Sequence, residues 1–477
     1  MKVLFALAEA FPFIKAGGLG DVGGSLPKAL QSEEVETTVI MPRYSSIPNK
    51  LFKGCKCLGS FDIYLSWRKV EYKVLELYHE EVRYLFIENE FYFNREKLYG
   101  YEDDGERFAF FSLAVLESLG QISYQPDIIH CHDWHTSLIP LLLKEKYAGS
   151  EFHKSIKTVL TIHNLKHQGV VPGHYFDDVL GLSNHTNAFA KLEYYGNLNF
   201  FKGGILDADF LTTVSPSYAL EITHPYYGET LDGVLRWRFK DLIGILNGID
   251  KSKFDPRTDE NIKVKYKSSY NKKMENKTWL QKSLGLPVDK NIPVIAFISR
   301  LVEQKGVDLI NHIMEELLVH EVQVIILGTG EARYEEALRY FESKYHDKMR
   351  GMIMYDEAFA HQLYAGADIL MMPSKFEPCG LSQMIAMSYG TIPVVRETGG
   401  LKDSVIPYNK YTGVGNGFSF ANYNAHEFLF TLKEALRIYT DDKEGWNKVF
   451  KQALNTDFSW KKSAELYLQC YRNLVGI

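Results

Sequence analysis

Short apolar segments alternate with helical segments in two separate series along this chain, and this alternation is the strongest constraint on its fold. Up to about residue 240, segments such as VLFALAE, TTVIMP, VRYLFIE, PDIIHC, TVLTIHN and FLTTVS alternate with helical patterns such as RFAFFSLAVLESLG. A second series begins near residue 292 with IPVIAFIS, VQVIILG, RGMIMY, DILMMPS and TIPVVRE. Strands that alternate with helices form βαβ units with a parallel sheet. The sequence therefore predicts two Rossmann-like, doubly wound α/β domains.

The stretch between the two series is suited to connect two domains, and 477 residues are enough for two or three of them. Residues 250–290 are polar and rich in lysine, and they contain the turn signal FDPRTDEN. In open α/β sheets, ligands bind beyond the carboxyl ends of the strands. The two domains are therefore expected to face a central cleft that holds the functional site.

Composition and charge exclude several classes of function. The formal net charge of −6 argues against nucleic acid as a partner, because nucleic-acid binding usually needs a basic surface. The apolar stretches fall short of the roughly 18 residues that span a bilayer, so no membrane partner is expected. Five scattered cysteines are typical of a reducing compartment, which predicts a cytoplasmic protein.

Residues 15–24, KAGGLGDVGG, contain five glycines behind a lysine. Glycine lets a ligand approach backbone N–H groups and permits positive φ, and the helical pattern LPKALQ that follows would direct its N-terminus at an anion. A phosphate-binding loop with Lys15 as its cation is the first interpretation, and a purely structural turn is the second. GLGDVG also matches the dinucleotide pattern. However, it lies too far behind the first strand, and TTVIMPRY lacks the acidic residue that a ribose needs.

Four further motifs follow predicted strands, where a parallel sheet places its ligand site. They are HCHDWH after PDII, HN after TVLTI, SRLVEQK after VIAFI and SKFEPCGLSQ after DILMMP. Arg300 and Lys305 fit a clamp for a diphosphate, or they are a pair of surface cations. Glu377 either caps the helix that follows it or accepts hydrogen bonds from sugar hydroxyls. Asp133 and His163 are either site residues or buried polar residues with ordinary partners.

Two other patterns are weaker candidates for a metal site. Asp207 and Asp209 resemble a D-x-D motif, which can hold a divalent metal beside a nucleotide. They run directly into a strand instead of following one, so a structural role is the favoured interpretation. Cys55 and Cys57 lack a second ligand pair, so no zinc site is expected there.

Taken together and in this order, KAGGLGD, HDWH, TIHN, NGID, RLVEQKG, EPCGLSQ and ETGGL closely resemble the bacterial glycogen synthases and plant starch synthases. The resemblance extends to the closing SWKKSAELYLQCYRNL. It implies a GT-B fold with a first domain over residues 1–245, a nucleotide-sugar domain over 246–456 and a final helix, 457–477, that returns to the first domain. It also implies a retaining transferase that moves glucose from ADP-glucose to the non-reducing 4-hydroxyl of an α-1,4-glucan such as glycogen.

The resemblance further implies roles for individual residues. Lys15, Arg300 and Lys305 would hold the donor diphosphate and, with helix N-termini, stabilise its departing charge, so neither a metal nor a cofactor is expected. The implied catalytic set is Glu377, His163, Lys15, Arg300, Lys305 and Asp133. The implied donor-binding set adds Gly18 at the phosphates, Asp21 at the nucleoside and Tyr355 against adenine. It also adds Cys379, Gly380 and Leu381 around the sugar and phosphate. Asn247 would be a further polar member of the site.

This sequence departs from the family pattern at a few positions. Ala16 stands where Thr or Val is frequent and Ser382 where Thr is usual, and both replacements are small. Ile385 stands where many UDP-glucose-dependent enzymes of this architecture carry a second Glu, which favours ADP-glucose as the donor. A related UDP-glucose-dependent glucosyltransferase stays open as an alternative, as does a non-catalytic protein that binds glucan or nucleotide.

Overall fold

The computed structural model describes residues 1–477 apart from the side chain of Thr186. The chain forms two compact units. Unit 1 contains Met1–Asn247 and Trp460–Ile477, and unit 2 contains Gly248–Ser459. Each unit has its own sheet with parallel central strands and with helices in the connections, which confirms the predicted two-domain α/β class.

The main sheet of unit 1 is built around buried parallel strands. The strands of unit 1 are β1 (Lys2–Ala6), β2 (Glu36–Pro42), β3 (Lys56–Leu65), β4 (Arg68–His79), β5 (Val82–Glu88), β6 (Ile128–His132), β7 (Lys157–Ile162), β8 (Val170–Pro172), β9 (Glu193–Tyr194), β10 (Asn197–Asn199), β11 (Phe210–Thr213) and β12 (Leu242–Gly244). The main sheet has the order β12-β11-β7-β6-β1-β2-β5-β4-β3, and β8, β10 and β9 form a small separate sheet.

Helices connect the strands of unit 1. They are α1 (Gly18–Gln31), α2 (Glu90–Phe93), α3 (Asp104–Gln121), α4 (Leu138–Glu145), α5 (Tyr175–Asp178), α6 (Thr186–Leu192), α7 (Phe200–Asp207), α8 (Pro216–Glu221) and α9 (Asp232–Trp237). Short 3₁₀ helices occupy Asn49–Phe52 and Phe239–Asp241.

Unit 2 has a parallel sheet with the order β15-β14-β13-β16-β17-β18. Its strands are β13 (Val294–Ile298), β14 (Gln323–Leu327), β15 (Met349–Met352), β16 (Ile369–Met372), β17 (Ile392–Arg396) and β18 (Phe418–Phe420). Its helices are α10 (Tyr270–Ser283), α11 (Val307–Val319), α12 (Ala332–Lys344), α13 (Glu357–Gly366), α14 (Ser382–Ser388), α15 (Gly399–Ser404), α16 (Ala425–Asp441) and α17 (Lys443–Asn455), with a 3₁₀ turn at Glu303–Lys305.

The last helix of the chain, α18 (Trp460–Val475), belongs to unit 1 and packs against α1. Its Tyr471 hydroxyl lies 2.7 Å from Nδ1 of His130 in β6, and both side chains are buried. Ser463 donates to the carbonyl oxygen of Leu246 at 2.6 Å. These contacts join the end of the chain to the centre of the first sheet. Over the described residues, no helix combines the length and apolar character that a membrane crossing requires.

The first sheet is mixed and not purely parallel, because the hairpin of β3 and β4 extends it beyond β5. These two strands were not predicted from the sequence. Their side chains alternate between buried and exposed, as in IYL and EYKV, because one face packs on the unit and the other meets solvent. The parallel strands are buried on both faces, and the apolar runs within them, such as VLFA in β1 and VIMP in β2, gave the clearer signal.

The glycine-rich segment differs from its prediction as a loop that precedes a helix. Helix α1 already begins at Gly18, not at Leu26, and none of the segment's glycines has a positive φ. A Cβ at Gly23 would lie 2.7 Å from the carbonyl oxygen of Glu9, and one at Gly24 would lie 2.5 Å from that of Phe11. These glycines therefore let α1 pack directly on the backbone that has just left β1, in spite of the low helix propensity of glycine.

Candidate active site

The carboxyl ends of three adjacent parallel strands carry the first group of predicted residues. β7, β6 and β1 are neighbours in the sheet of unit 1, and His163, Asp133 and Glu9 follow them in the chain. All three side chains therefore lie at the edge where a parallel sheet binds its ligand. Glu9 is an addition that the sequence analysis missed.

Glu9 fixes the start of the glycine-rich segment. Its side chain is 4% exposed, and its carboxylate accepts hydrogen bonds from the backbone N–H groups of Ala16 and Gly17, the latter at 3.2 Å. The Tyr99 hydroxyl also donates to it at 3.3 Å. Burial raises the pKa of Glu9, while these hydrogen bonds oppose the rise. The sequence signal for this role was a carboxylate that interrupts an apolar run just before the glycines.

The predicted cation of unit 1 has a partner within its own segment. Nζ of Lys15 lies 2.6 Å from Oδ1 of Asp21, which is in the first turn of α1. The two side chains are 32% and 26% exposed, so the pair remains open to solvent. Gly18 is exposed beside them at the first position of α1. The structure thus brings three predicted donor-binding residues to one helix N-terminus, where backbone N–H groups favour an anion.

Asp133 occupies a turn of unusual geometry directly after β6. Its φ is 55°, a left-handed value that Asp tolerates better than most residues because its side chain bonds nearby backbone groups. Oδ1 accepts hydrogen bonds from the N–H groups of His163 at 2.7 Å and Asn164 at 3.3 Å. Burial raises the pKa of Asp133 to about 7, against the effect of those hydrogen bonds. Asp133 therefore holds the turn after β7.

His163 is paired with a histidine that the sequence analysis did not single out. Its Nε2 lies 2.9 Å from Nδ1 of His132, the last residue of β6, and the two rings are stacked. Burial lowers the pKa of His163 to about 3 and also lowers the pKa of His132 well below its usual range, so both rings are neutral at physiological pH. This pairing results from the adjacency of β6 and β7, which the sequence does not show.

Asn247 is the last residue of the first segment of unit 1. It is 6% exposed, and its Oδ1 is buried with no hydrogen-bond partner among the described residues. Buried amide oxygens are usually paired, so this atom is available to a donor group of a ligand. Within the described part of unit 1, no hydrogen bond joins Asn247 to Lys15 or His163.

In unit 2, Glu377 lies at the carboxyl end of β16 in a cluster of three side chains. Its Oε2 lies 2.6 Å from Nζ of Lys305 and accepts a hydrogen bond from the Ser374 hydroxyl at 3.1 Å. Lys305 follows β13, the neighbouring strand, and the two charged side chains are only 17% and 10% exposed. Helix α14 has no side-chain cap at its start, so helix capping by Glu377 finds no support in the contacts.

The turn after β17 supports the Glu377 segment from behind. Gly399 has a φ of 44°, and a Cβ there would lie 2.1 Å from the carbonyl oxygen of Glu377. The N–H of Gly400 reaches the same carbonyl oxygen at 3.1 Å. The glycines of ETGGL therefore allow two backbone segments to pack closely. This packing fixes the position of the Glu377 backbone.

The other predicted residues of unit 2 differ in exposure. Cys379 and Gly380 are buried and Leu381 is half-buried, and Nε2 of Gln383 holds the carbonyl oxygens of Cys379 and Gly380 at 3.1 and 2.9 Å. Gly380 has a φ of 71°. Gln383 was not predicted as a site residue.

Two predicted donor-binding residues lie on the surface of unit 2. Arg300 is exposed after β13, on the same chain segment as Lys305. Tyr355 is 84% exposed after the edge strand β15, which β14 separates from β13. The structure therefore brings Lys305 and Glu377 into contact, and it leaves Arg300 and Tyr355 as open side chains on the same sheet edge.

The D-x-D pair is used within unit 1. Asp207 binds Nζ of Lys191 at 2.8 Å, and Asp209 accepts hydrogen bonds from both the N–H and the hydroxyl of Thr158 at 2.8 Å. These contacts support the structural interpretation of both residues.

Two protein families and several full-length relatives match this chain. Residues 2–237 match the family described as starch synthase catalytic domain, and residues 281–448 match the family glycosyl transferases group 1. A glycogen synthase from Clostridioides difficile is 50% identical over 479 residues, covering 99% of this chain and 100% of that protein. A glycogen synthase from Bacillus subtilis is 48% identical over 477 residues, covering 100% and 98%.

Solved structures give the same result. The catalytic domain of starch synthase IV from Arabidopsis thaliana, bound to ADP and acarbose, has a TM-score of 0.90 and 35% identity, covering 100% of this chain and 99% of that chain. Sucrose-phosphate synthase from Thermosynechococcus elongatus, at 16% identity and a TM-score of 0.61, shows the fold alone. The fold and the matched domains define a glycosyltransferase of the GT-B class. Within that class, the chain belongs to the family of glycogen and starch synthases.

Proposed function

We propose that this enzyme transfers glucose from ADP-glucose to the non-reducing 4-hydroxyl of an α-1,4-glucan, with retention of the anomeric configuration. The observation that carries this proposal is the Lys305–Glu377–Ser374 cluster at the carboxyl end of β16. It combines a cation suited to a phosphate with a carboxylate suited to sugar hydroxyls. The Arabidopsis relative, which holds ADP and acarbose, supports both halves of the proposal.

Charge is expected to separate as the glycosidic bond to the diphosphate breaks. Positive charge develops on the sugar ring and negative charge on the departing ADP. Lys305 and Arg300 both follow β13, and they are proposed to bind the diphosphate and to stabilise its negative charge. Lys305 is largely shielded from water, which strengthens its attraction to phosphate. Glu377 is proposed to orient the glucose hydroxyls and to stabilise the positive charge on the ring.

The ion pair in unit 2 gives this role a physical basis. Lys305 and Glu377 form an ion pair of 2.6 Å and neutralise each other's charge. A diphosphate beside Lys305 would compete for the ammonium group, because phosphate oxygens are strong acceptors of charge-assisted hydrogen bonds. The ion pair of Glu377 with Lys305 would then weaken, and the hydroxyl groups of the bound sugar would donate hydrogen bonds to Glu377 in its place. The bound donor would thus replace the ion pair within the protein. Lys305 would be paired with phosphate and Glu377 with sugar hydroxyls, so neither buried charge would lack a partner.

Unit 1 is proposed to supply the second group of polar contacts. Lys15 and Gly18 would bind donor phosphate at the start of α1, with Asp21 toward the nucleoside. His163 would contact the donor glucose, and Asp133 and Asn247 would be further polar members of the site. Cys379, Gly380 and Leu381 would line the sugar and phosphate in unit 2, and Tyr355 would stack on adenine.

A donor panel tests this proposal directly. Initial rates of glucose incorporation into glycogen are measured with ADP-glucose and with UDP-glucose over a range of concentrations. We expect a clear preference for ADP-glucose in kcat/KM. An equal or higher kcat/KM with UDP-glucose would favour the UDP-glucose-dependent alternative, and no transfer from either donor would favour a non-catalytic binding protein.

A further inference from the structure

The hydrogen bond between His132 and His163 restricts where each ring carries its proton. Nδ1 of His132 and Nε2 of His163 lie 2.9 Å apart, so one nitrogen donates and the other accepts. Burial makes both rings neutral, and each therefore has a single N–H. The pair can take two arrangements, which differ in the direction of this hydrogen bond.

The second nitrogen of His132 decides between the two arrangements. Its Nε2 is buried and has no hydrogen-bond partner among the described residues. If His163 donated, the proton of His132 would have to lie on this Nε2, and an N–H group would be buried without an acceptor. If His132 donates from Nδ1, its Nε2 carries no hydrogen. Buried donors without a partner are rarer in proteins than unpaired acceptors, so the second arrangement is favoured.

We infer that His132 donates from Nδ1 to Nε2 of His163 and thereby fixes His163 in the tautomer that carries its proton on Nδ1. His132 is then a positioning residue for the site. On the proposed function, the N–H at Nδ1 of His163 donates to a hydroxyl oxygen of the donor glucose. His163 would thus recognise an oxygen acceptor and would not take up a proton from the sugar at that nitrogen.

The surroundings of His132 keep its ring in place. Its backbone N–H donates to the Thr136 hydroxyl at 2.7 Å, and its ring centroid lies 4.1 Å from that of His130. His130 itself is held on both sides, by Tyr471 at 2.7 Å and by Thr161 at 2.6 Å. His130 therefore has partners on both ring nitrogens, whereas the ring of His132 has one hydrogen-bond partner among the described residues, which is His163 at Nδ1.

Nitrogen NMR of the full chain with ¹⁵N-labelled histidine tests the tautomer without any substrate. The signals of His163 and His132 are assigned by their loss in His163→Gln and His132→Asn. We expect a protonated Nδ1 and a bare Nε2 for both rings at neutral pH. A protonated Nε2 on either ring would overturn the inference. Because no donor is present, this result is independent of the donor panel that tests the proposed function.

Two amide variants at the same position test the functional consequence. In His132→Asn the amide is bonded to Cγ, where Nδ1 is bonded in histidine, so it can still donate to His163. In His132→Gln the amide lies one bond further out, near the place of Nε2. We expect kcat within about threefold of the parent for His132→Asn and a loss of about 10- to 100-fold for His132→Gln, as for other groups that orient a functional histidine.

Thermal unfolding of both variants separates positioning from folding. Equal thermal midpoints with unequal kcat would support the inference. Equal loss of kcat in both variants, or a kcat that only follows the thermal midpoint, would show a structural role and overturn it. If His132→Gln fails to fold, the NMR measurement decides the matter. If His132→Asn fails to fold, His163→Gln still assigns the signals of His163, and a protonated Nε2 on that ring overturns the inference.

Discussion

The buried carboxylates of the two units have different partners. In unit 1, Glu9 and Asp133 accept hydrogen bonds from backbone N–H groups that lie in the segments behind β1 and β7. In unit 2, Glu377 is bound to side chains, the ammonium group of Lys305 and the hydroxyl of Ser374. Glu9 and Asp133 therefore fix backbone segments, whereas Glu377 belongs to an ion pair between side chains.

The pKa values of Asp133 and Glu9 reflect their burial and their backbone partners. Burial raises the pKa of Asp133 to about 7 and also raises that of Glu9, because backbone dipoles offset only part of the lost hydration. A lysine supplies a full opposite charge to Glu377 at 2.6 Å. The comparison teaches that a buried carboxylate can either hold backbone segments in place or form an ion pair with a side chain. The kind of partner shows which of the two it does.

The largest expected effect is at Glu377. Glu377→Gln keeps the shape and can still accept a hydrogen bond from Ser374, but it removes the negative charge. If that charge acts mainly in the transition state, kcat falls on the order of 10²-fold or more while the donor KM stays close to the parent value. Steady-state kinetics with varied ADP-glucose measure both constants.

Thermal unfolding of the same Glu377→Gln preparation is the control. A helix cap would lose about 1 kcal/mol of stability and little activity. A destabilised enzyme with near-normal kcat would therefore contradict the catalytic interpretation. Ser374→Ala is the matched variant, since it removes a neutral partner of the same carboxylate oxygen and is expected to cost less in kcat.

Asp133 is predicted to make stability depend on pH. Its pKa is about 7 in the folded protein against an ordinary value of 3.8 for aspartate, so between these pH values the folded state binds more protons than the unfolded state. The free energy of unfolding therefore falls as pH rises, by about 2 kcal/mol between pH 5 and pH 7 from this group. Asp133→Asn should remove that fall, because asparagine does not ionise and also tolerates a positive φ.

Urea unfolding of both proteins at pH 5 and pH 7 measures this contribution. We expect the variant to gain stability relative to the parent as pH rises. Glu9 titrates in both proteins, so its effect cancels to first order in the difference. The same difference at the two pH values would contradict a raised pKa for Asp133.

The two lysines should differ in the size of their effect on donor binding. Lys305→Ala is expected to raise the donor KM about 10- to 100-fold, as the loss of a shielded charge-assisted contact does. Lys15→Ala should raise it less, roughly fivefold to tenfold, because Lys15 is 32% exposed against 17% for Lys305 and its charge is better screened by water.

Lys344→Ala provides a control for the lysine series. Lys344 forms an ion pair of 2.6 Å with Glu315 on the surface of unit 2. The Lys344→Ala substitution is expected to leave the donor KM unchanged. A larger effect at Lys15 than at Lys305 would contradict the ranking by exposure.

The sequence predicted the fold well where a strand is buried on both faces. β1, β6, β7, β13 and β16 are buried along nearly their whole length and contain short apolar runs, and the motifs behind them could be placed at the carboxyl ends of the strands. The hairpin of β3 and β4 was missed because one-sided strands have weaker apolar runs. The start of α1 was misplaced because glycine has low helix propensity, and only tertiary packing explains Gly23 and Gly24.

Individual site residues could be predicted, but their pairing could not. Lys15 and Asp21 are close in the chain, so their contact is local. Lys305 and Glu377 come from different strands, and His132 meets His163 only because β6 lies beside β7. Ser374 was missed because a single serine carries no distinctive pattern. Glu9 was missed because its interruption of an apolar run does not show which groups its carboxylate binds. Strand order supplies these pairings, and it is a property of the folded sheet.

The smallest expected effect is at Gly18. A substitution there tests whether the backbone at the start of α1 binds the donor phosphate. A Cβ at Gly18 would have no described atom within 4 Å, whereas one at Gly24 would lie 2.5 Å from the carbonyl oxygen of Phe11. Gly18→Ala should therefore keep or slightly raise the thermal midpoint, since alanine favours helix, yet raise the donor KM about threefold if phosphate approaches this backbone. Gly24→Ala should lower the thermal midpoint instead. An unchanged donor KM in Gly18→Ala would mean that these glycines serve helix packing only, as a purely structural turn requires.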